Sequence, residues 1–383
     1  MKTSPLFKPV SLRVDEGHRQ TTWLELFFDL AFVVSIASLT TMLVHNPTLE
    51  GLAIYVSLFF PVFWAWNQLT WYATHFDNND VFFRVMYLCA ILSVLILAAS
   101  IEKIPKGETT LFVLSYALIQ LCLAAGWIRV YFNNQDFKSF SLKILIGPVI
   151  GGIVWIASLV LPVPEQYYAW LVAIVIQVAA PYIAWKTKNF DIPIHINHVI
   201  ERYCLLTIIV LGESLVAVSA GIDATPGSGV FLTAIFGYVA VACIWWTYFN
   251  WDFDNVSTFK GISNLFAFGY GHFVIFLLIA AFGAGVEIAI HSQEHGGHST
   301  LIERLLIVFT PPLYLISLSI LNRFSWGMLF DKKMVARIVI AVLSFILAFL
   351  AGHASSVVLT GGVALLMVCL VTYEVMFCAE PQD

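Results

Sequence analysis

The sequence predicts an all-α polytopic membrane protein of about twelve transmembrane helices, arranged as two parallel six-helix repeats over residues 1–190 and 191–383. Three observations lead there. Of 383 residues, 60% are hydrophobic and 11% charged, against roughly 25% charged in an average soluble domain. Apolar runs of about 18 to 23 residues, the length that crosses the hydrocarbon core, recur twelve times. Polar residues of the first half also recur in the second at nearly constant spacing.

In chain order the runs fall at 22–44, 51–73, 81–101, 109–131, 142–161, 164–186, 199–221, 229–250, 265–290, 301–321, 334–352 and 355–377. Short loops join them, several broken by Pro or Gly, as at Pro47, Pro105, Pro162, Pro226 and Gly296–Gly297. The polar opening residues predict no cleavable signal ahead of the first run. Of nineteen Lys and Arg, sixteen fall on the N-terminal segment and every second loop or flank after it; Lys103, Lys106 and Arg304 fall on the opposite side. That bias predicts both termini in the cytoplasm. The six cysteines lie in or beside apolar runs and read as small core hydrophobes. A net charge of −5 says little about partners here. The expected partner is the lipid bilayer, with no nucleic acid, and a homo-oligomer is compatible with the pattern.

The first run carries Trp23 to Ser35, WLELFFDLAFVVS, in which Glu25 and Asp29 are four apart and share a helix face. A carboxylate at the centre of a spanning helix costs about 2.5–3.5 kcal/mol on insertion scales, so it needs a reason. The seventh run answers it. A shift of 184 (213 − 29) puts Asp29 on Glu213, Val34 on Val218 and Ser35 on Ser219. After the second and eighth runs comes the same tripeptide, Phe76-Asp77-Asn78 and Phe253-Asp254-Asn255, at a shift of 177, with Thr70 on Thr247. The third and ninth runs match at 185, with Glu102 on Glu287. Because six is even, both copies enter the membrane the same way round, and the repeat is parallel.

The candidate path residues are therefore Asp29, Glu213, Glu25, Glu201, Arg202 and His272, with Asp77, Asp254, Glu102 and Glu287 as repeat-matched polar residues. Arg202 and Glu213 share a face but lie about 16 Å apart along the axis, so they cannot pair within one helix. Glu201 and Arg202 are expected at the cytoplasmic mouth, where snorkelling is easy. Asp29 and Glu213 have two open readings: packing acids that fix helix register, or the lining of a polar path at the repeat interface. His272 reads as a hydrogen-bonded core histidine or a proton relay. Glu287, His291 and His295 would share a face if the ninth helix continued, with His298 nearby. The Gly296–Gly297 pair points instead to a solvated loop, and neither metal nor cofactor is expected. Gly147 and Gly151, and Gly283 and Gly285, are small-residue patches for helix packing. Trp64, Trp66, Trp71, Trp245, Trp246 and Trp251 suit an interfacial belt.

Two blocks carry a family resemblance: WLELFFDLAFVVSIASL, and His198-Val-Ile-Glu201-Arg202 running on to Leu211-Gly212-Glu213-Ser214. Together with twelve spans they resemble the bacterial low temperature requirement protein A family. The resemblance implies a multi-pass plasma-membrane protein associated by name with growth in the cold, and supplies no reaction and no catalytic residues. A thinner resemblance is to the two-repeat endolysosomal potassium channel family, whose first helices bear Arg-x-x-x-Phe-Ser-Asp. Phe27-Phe28-Asp29 matches its end, but Trp23 stands at the Arg place, Phe28 at the Ser place, and the second copy reads Leu211-Gly212-Glu213.

A channel or transporter for protons, cations or a small solute is the first expectation. A membrane enzyme acting on lipid beside Asp77 and Asp254 is the second, and the sequence lacks a P-loop, an H-E-x-x-H and a nucleophile elbow. A non-transporting sensor or assembly protein is the third.

Overall fold

The computed structural model describes residues 6, 8, 10–12, 21–77, 79–188, 195–250, 262–294, 299–326, 332–350 and 354–378. Asp254 and its tripeptide, His295, Gly296–Gly297, His298 and Trp251 lie outside these residues. Twelve long helices follow in order: α1 (Trp23–His45), α2 (Leu49–His75), α3 (Val81–Ser100), α4 (Thr110–Asn133), α5 (Lys138–Ala157), α6 (Val163–Lys186), α7 (Ile196–Ser219), α8 (Gly229–Phe249) and α9 (Ile262–Glu294) come first. α10 is composite, running through Leu301–Arg304, a π-helical turn Leu305–Phe309 and Thr310–Trp326; α11 (Lys332–Leu350) and α12 (Ser356–Phe377) close the chain.

Eleven of these have the length and apolar composition to cross a bilayer, and α7, at 24 residues, matches them in length. The chain is an all-α multi-pass membrane protein whose environment is lipid. The expected spans coincide with the helices within a few residues. The largest excess is α9, whose 33 residues make about 50 Å, well beyond the hydrocarbon core.

Helix ends have local causes. Asp80 caps α3 by accepting the Phe83 N–H at 2.9 Å, and Ser228 caps α8 by accepting that of Phe231 at 3.2 Å. Thr300 and Glu303 form a reciprocal capping box ahead of α10. The π turn in α10 precedes Pro311 and Pro312, which lack the N–H groups that Ile307 and Val308 carbonyls would accept in an α-helix. The helix widens where those donors are missing.

By contact the chain divides into two units, one of Met1–Leu39 with Ser57–Leu205, the other of Thr40–Val56 with Leu206–Asp383. In the first unit α3, α4, α5 and α6 pack in succession. Phe112 and Tyr116 of α4 interleave with Trp155 of α5 and Trp170 of α6, with Tyr116 and Trp155 ring centroids 4.5 Å apart. Gly147 and Gly151 let α5 approach Ala180 and Gln177 of α6, as their spacing predicts. The short strand Ser11–Leu12 pairs antiparallel with Phe76–Asp77. Beside it Asp80 accepts the Lys8 N–H at 2.9 Å and is ion-paired with Arg129, whose guanidinium also donates to the Lys8 carbonyl. Burial pushes the Asp80 carboxyl up, but the hydrogen bonds from Arg129, Phe83 and Lys8 outweigh it and hold the group below its ordinary range.

In the second unit α8 packs on α12 and α9, and α10 on α9 and α11. Arg337 of α11 donates to Glu374 of α12 at 2.7 Å and to the Thr247 carbonyl of α8 at 3.2 Å, and Asn250 also donates to Glu374. The tryptophan belt is only partly realised. Trp245 and Trp246 are exposed, whereas Trp64 and Trp66 are buried against neighbouring helices.

Close approach of α9 and α10 depends on Gly285, where a Cβ would lie 2.6 Å from the Leu306 Cβ and 3.2 Å from its backbone carbon. Gly285→Ala is expected to lower stability by about 1–3 kcal/mol through overpacking. Gly212→Ala, at a helical site with nothing within 4 Å, should be neutral or stabilising. Thermal unfolding of both variants in detergent checks the contrast.

Candidate functional site

The site begins with the first turn of α1. Thr22 and Glu25 form a reciprocal cap: the Thr22 N–H and hydroxyl each donate to Glu25 Oε2 at 2.8 Å, and the Glu25 N–H donates to the Thr22 hydroxyl at 3.3 Å. One Glu25 oxygen is thereby held at the helix end. The other, Oε1, points to Arg202 Nη1 at 3.5 Å and His198 Nε2 at 3.6 Å, both on α7. One turn on, Asp29 Oδ1 accepts the Trp66 indole N–H at 2.8 Å and is ion-paired with Arg202 Nη2.

α2 supplies the polar wall. Asn67, Thr70 and Thr74 are spaced three and four apart, which puts them on one face. The Thr74 hydroxyl lies 2.9 Å from the Thr70 carbonyl, to which it donates, and is hydrogen-bonded with His198 Nδ1 at 3.2 Å. Tyr203 donates to Asn67 Oδ1, which also accepts from the Trp71 indole at 3.1 Å. The Thr70 hydroxyl lies 3.5 Å from Arg202 Nη2.

Glu25, Asp29 and Arg202 are 1%, 0% and 0% exposed. Two carboxylates and one guanidinium are thus removed from solvent together: the guanidinium offsets one unit of charge, and the Thr22 cap, the Trp66 indole and the facing His198 imidazole serve what remains. Arg202 is expected to snorkel from its place near the start of α7 but does not; the two acids of α1 draw it inward. Its neighbour Glu201 is half-buried and accepts the Thr21 N–H at 3.1 Å.

Counting from the helix starts gives a different pairing from the one read in the letters. Asp29 is six residues, about 9 Å, beyond the start of α1 at Trp23. Glu213 is seventeen residues, about 26 Å, beyond the start of α7 at Ile196. Asp29 is therefore near the N-terminal end of its helix rather than its middle, and its positional counterpart on α7 is Arg202 (196 + 6 = 202), not Glu213. Likewise Glu25 and His198 each stand two residues into their helices (23 + 2 and 196 + 2). Acids at two positions of α1 thus meet bases at the same two positions of α7.

The remaining candidates are dispersed. Glu213 lies in the second unit, half-buried, hydrogen-bonded by Thr40 and within electrostatic range of Glu287 on α9. His272 is buried, with Nδ1 donating to the Phe268 carbonyl at 2.7 Å and Nε2 accepting from Tyr248 at 2.8 Å, the geometry of a hydrogen-bonded core histidine. Glu102 is exposed beyond α3, and Asp77 is placed by its strand backbone. His291 is exposed beside Glu294. The sequence reading misses His198, Trp66, Asn67, Thr74 and Tyr203. The available signals were the four-residue spacing of His198 and Arg202, equal to that of Glu25 and Asp29, and the polar stripe on α2.

Residues 20–372 match the family model of the bacterial low temperature requirement A protein. The chain belongs to that family, the first of the two resemblances in its sequence; the potassium-channel resemblance is without support. It is also 24% identical over 309 residues to an uncharacterized protein of Rhizobium meliloti (strain 1021), a match covering 73% of this chain and 72% of that one.

Arg202→Gln would leave Glu25 and Asp29 buried without their guanidinium. Stability should fall by about 3–5 kcal/mol, the usual effect of removing one partner of a buried ion pair. Arg84→Gln, at an exposed arginine bonded only locally to Asn79, should change it by less than about 0.5 kcal/mol. Thermal unfolding in detergent measures both.

Proposed function

We propose that this low temperature requirement A family member is a channel or transporter for protons, cations or a small solute, in the bacterial plasma membrane with both termini cytoplasmic. The observation that carries the reading is the Glu25–Asp29–Arg202 cluster with His198, buried within membrane-crossing helices. Ionisable side chains kept inside such helices mark ion and proton paths more often than packing contacts. The cluster also keeps hydrogen-bonding capacity in reserve. Among the described residues, Asp29 Oδ2 and Arg202 Nε are buried and have no hydrogen-bond partner, and a water or a passing ion would satisfy them.

Glu213 and Glu287 supply a second station in the same proposal. Two carboxylates within electrostatic range inside a membrane repel, and a cation or a shared proton relieves the repulsion. The sixteen-to-three bias of Lys and Arg supports the cytoplasmic termini. Removing the buried, ion-paired Arg129, Arg202 and Arg337 leaves thirteen to three (16 − 3 = 13), and the bias stands. The two halves, 1–190 and 191–383, are proposed as parallel repeats in the register of helix positions, where α1 and α7 correspond from their first residues.

Purified protein in liposomes carrying an internal pH indicator, with potassium or sodium gradients imposed, tests the proposal. The expected result is flux above that of empty liposomes, slowed roughly tenfold or more, about 1.4 kcal/mol in barrier, by Asp29→Asn and by Glu213→Gln. Flux absent for every ion tested, or unchanged in both folded variants, would leave the sensor or lipid-enzyme readings in its place.

A further inference from the structure

In the first unit, where α3 begins and α4 ends, a groove of about 520 Å³ opens beside the Arg129–Asp80 ion pair. Its charged end is made by Lys8 and Arg129, and its wall by Phe82, Ala125, Ile128 and Phe132. Several contacts hold Lys8 there. Its N–H and carbonyl are taken by Asp80 and Arg129, the Asn134 amide donates to the Val10 carbonyl at 2.8 Å, and Ser11–Leu12 pairs with Phe76–Asp77. Those contacts use only Lys8's backbone, and the residue is exposed.

Among the described residues that line the mouth, with Asp80 behind them, the charge is positive on balance. Asp80 is fully buried, and its oxygens receive the N–H groups of Phe83 and Lys8 as well as Arg129. Its carboxylate offsets Arg129, and the ammonium of Lys8 is left over. The guanidinium carbon of Arg129 lies 5.0 Å from the Phe82 ring centroid, so one face of that cation is covered by an aromatic wall.

From the mouth an apolar track continues along α4. Phe132, Ile128, Ala125 and Leu121 follow at spacings of four, three and four, which is one helix face. Phe132, Ile128 and Leu121 are exposed, at 73%, 43% and 64%, and Ala125 is the small residue between them that keeps the track open. On a helix that crosses the bilayer this face meets acyl chains. A soluble anion would find the charge but leave the track bare, whereas an amphiphile with a negative head and an apolar tail occupies both.

We propose that this groove is a binding site for an anionic phospholipid of the leaflet on the side of the N-terminal segment. The headgroup phosphate lies against the Lys8 ammonium at the groove's charged end, and one acyl chain follows Phe132, Ile128, Ala125 and Leu121. Basic groups at the mouth of an interhelical pocket select such headgroups by charge, and the apolar track adds affinity without selecting among them. The lipid would tie the N-terminal segment to the α3–α4 pair and stabilise the folded protein by mass action.

The test compares phosphatidylglycerol with phosphatidylcholine of identical chains, added to the full-length protein in detergent. Retention is read by native mass spectrometry and the gain in melting temperature by fluorimetry. Phosphatidylglycerol should be retained and raise the melting temperature, and phosphatidylcholine should do neither. Lys8→Glu should cut phosphatidylglycerol retention roughly tenfold, and Ala125→Trp, which fills the track, should abolish it. Both variants are expected to melt as the wild type does when no lipid is added. Equal retention of the two lipids overturns the proposal. So does phosphatidylglycerol retention that survives either substitution, since the site needs both the charge and the track.

Discussion

A charge removed from water inside a membrane protein must be neutralised by another charge close enough to bond, and the arrangement of the helix ends follows from that. Among the described residues, Arg202, Arg129 and Arg337 are each buried, and each is paired with a carboxylate: Asp29 and Glu25, Asp80, and Glu374. Each pair joins residues on different helices or at a helix cap. Each therefore fixes the rotation of those helices about their axes as well as their separation. Replacing such a pair by apolar groups often leaves stability unchanged, whereas removing one partner is severe. Their worth to the fold lies in specifying one packing rather than in net stabilisation.

The Arg202 cluster is the most elaborate of the three. Arg129 bonds Asp80 and the Lys8 carbonyl, and Arg337 bonds Glu374 and the Thr247 carbonyl. Arg202 serves two carboxylates, and the cluster adds His198, the Trp66 indole and the hydroxyls of Thr70 and Thr74. It also leaves buried polar atoms without partners. A merely structural pair gains nothing from such atoms, since each costs about 1–3 kcal/mol when left dry. A site that handles water or an ion does gain from them.

The helices were legible in the sequence because hydrocarbon thickness sets their length, and twelve apolar runs stand out against any polar background. The two acids of α1 were legible for the same reason, as costly letters in a costly place. Their partners were not. Arg202 lies 173 residues from Asp29, and no spacing along one helix reports a contact between two. Letter matching and counting from the helix starts also give two different registers of α7 on α1. Apolar runs align almost equally well at several offsets, so the few polar letters decided it and placed Glu213 on Asp29. α7 begins at Ile196, ahead of the expected 199, because the polar Asn197 and His198 precede the apolar run, yet His198 is buried against Glu25 and Thr74. Counted from that true start, base faces acid at matching positions. Small-residue packing at Gly147 and Gly151 was legible, since the contact a glycine permits depends on its own face alone.

In the proposed function Asp29 and Arg202 act on something that passes, beyond holding α1 against α7. The triple variant Glu25→Gln, Asp29→Asn, Arg202→Gln separates the two roles, because Arg202 is paired with both carboxylates and removing all three charges leaves neither acid buried without its guanidinium. Melting temperature and liposome flux would be measured on the wild type, Asp29→Asn, Arg202→Gln and the triple variant. Passage through the cluster predicts that the triple variant regains most of the stability lost in Arg202→Gln while its flux stays as low as that of either single variant. Flux returning to the wild-type rate together with stability would contradict it, and would make the pair a packing device alone.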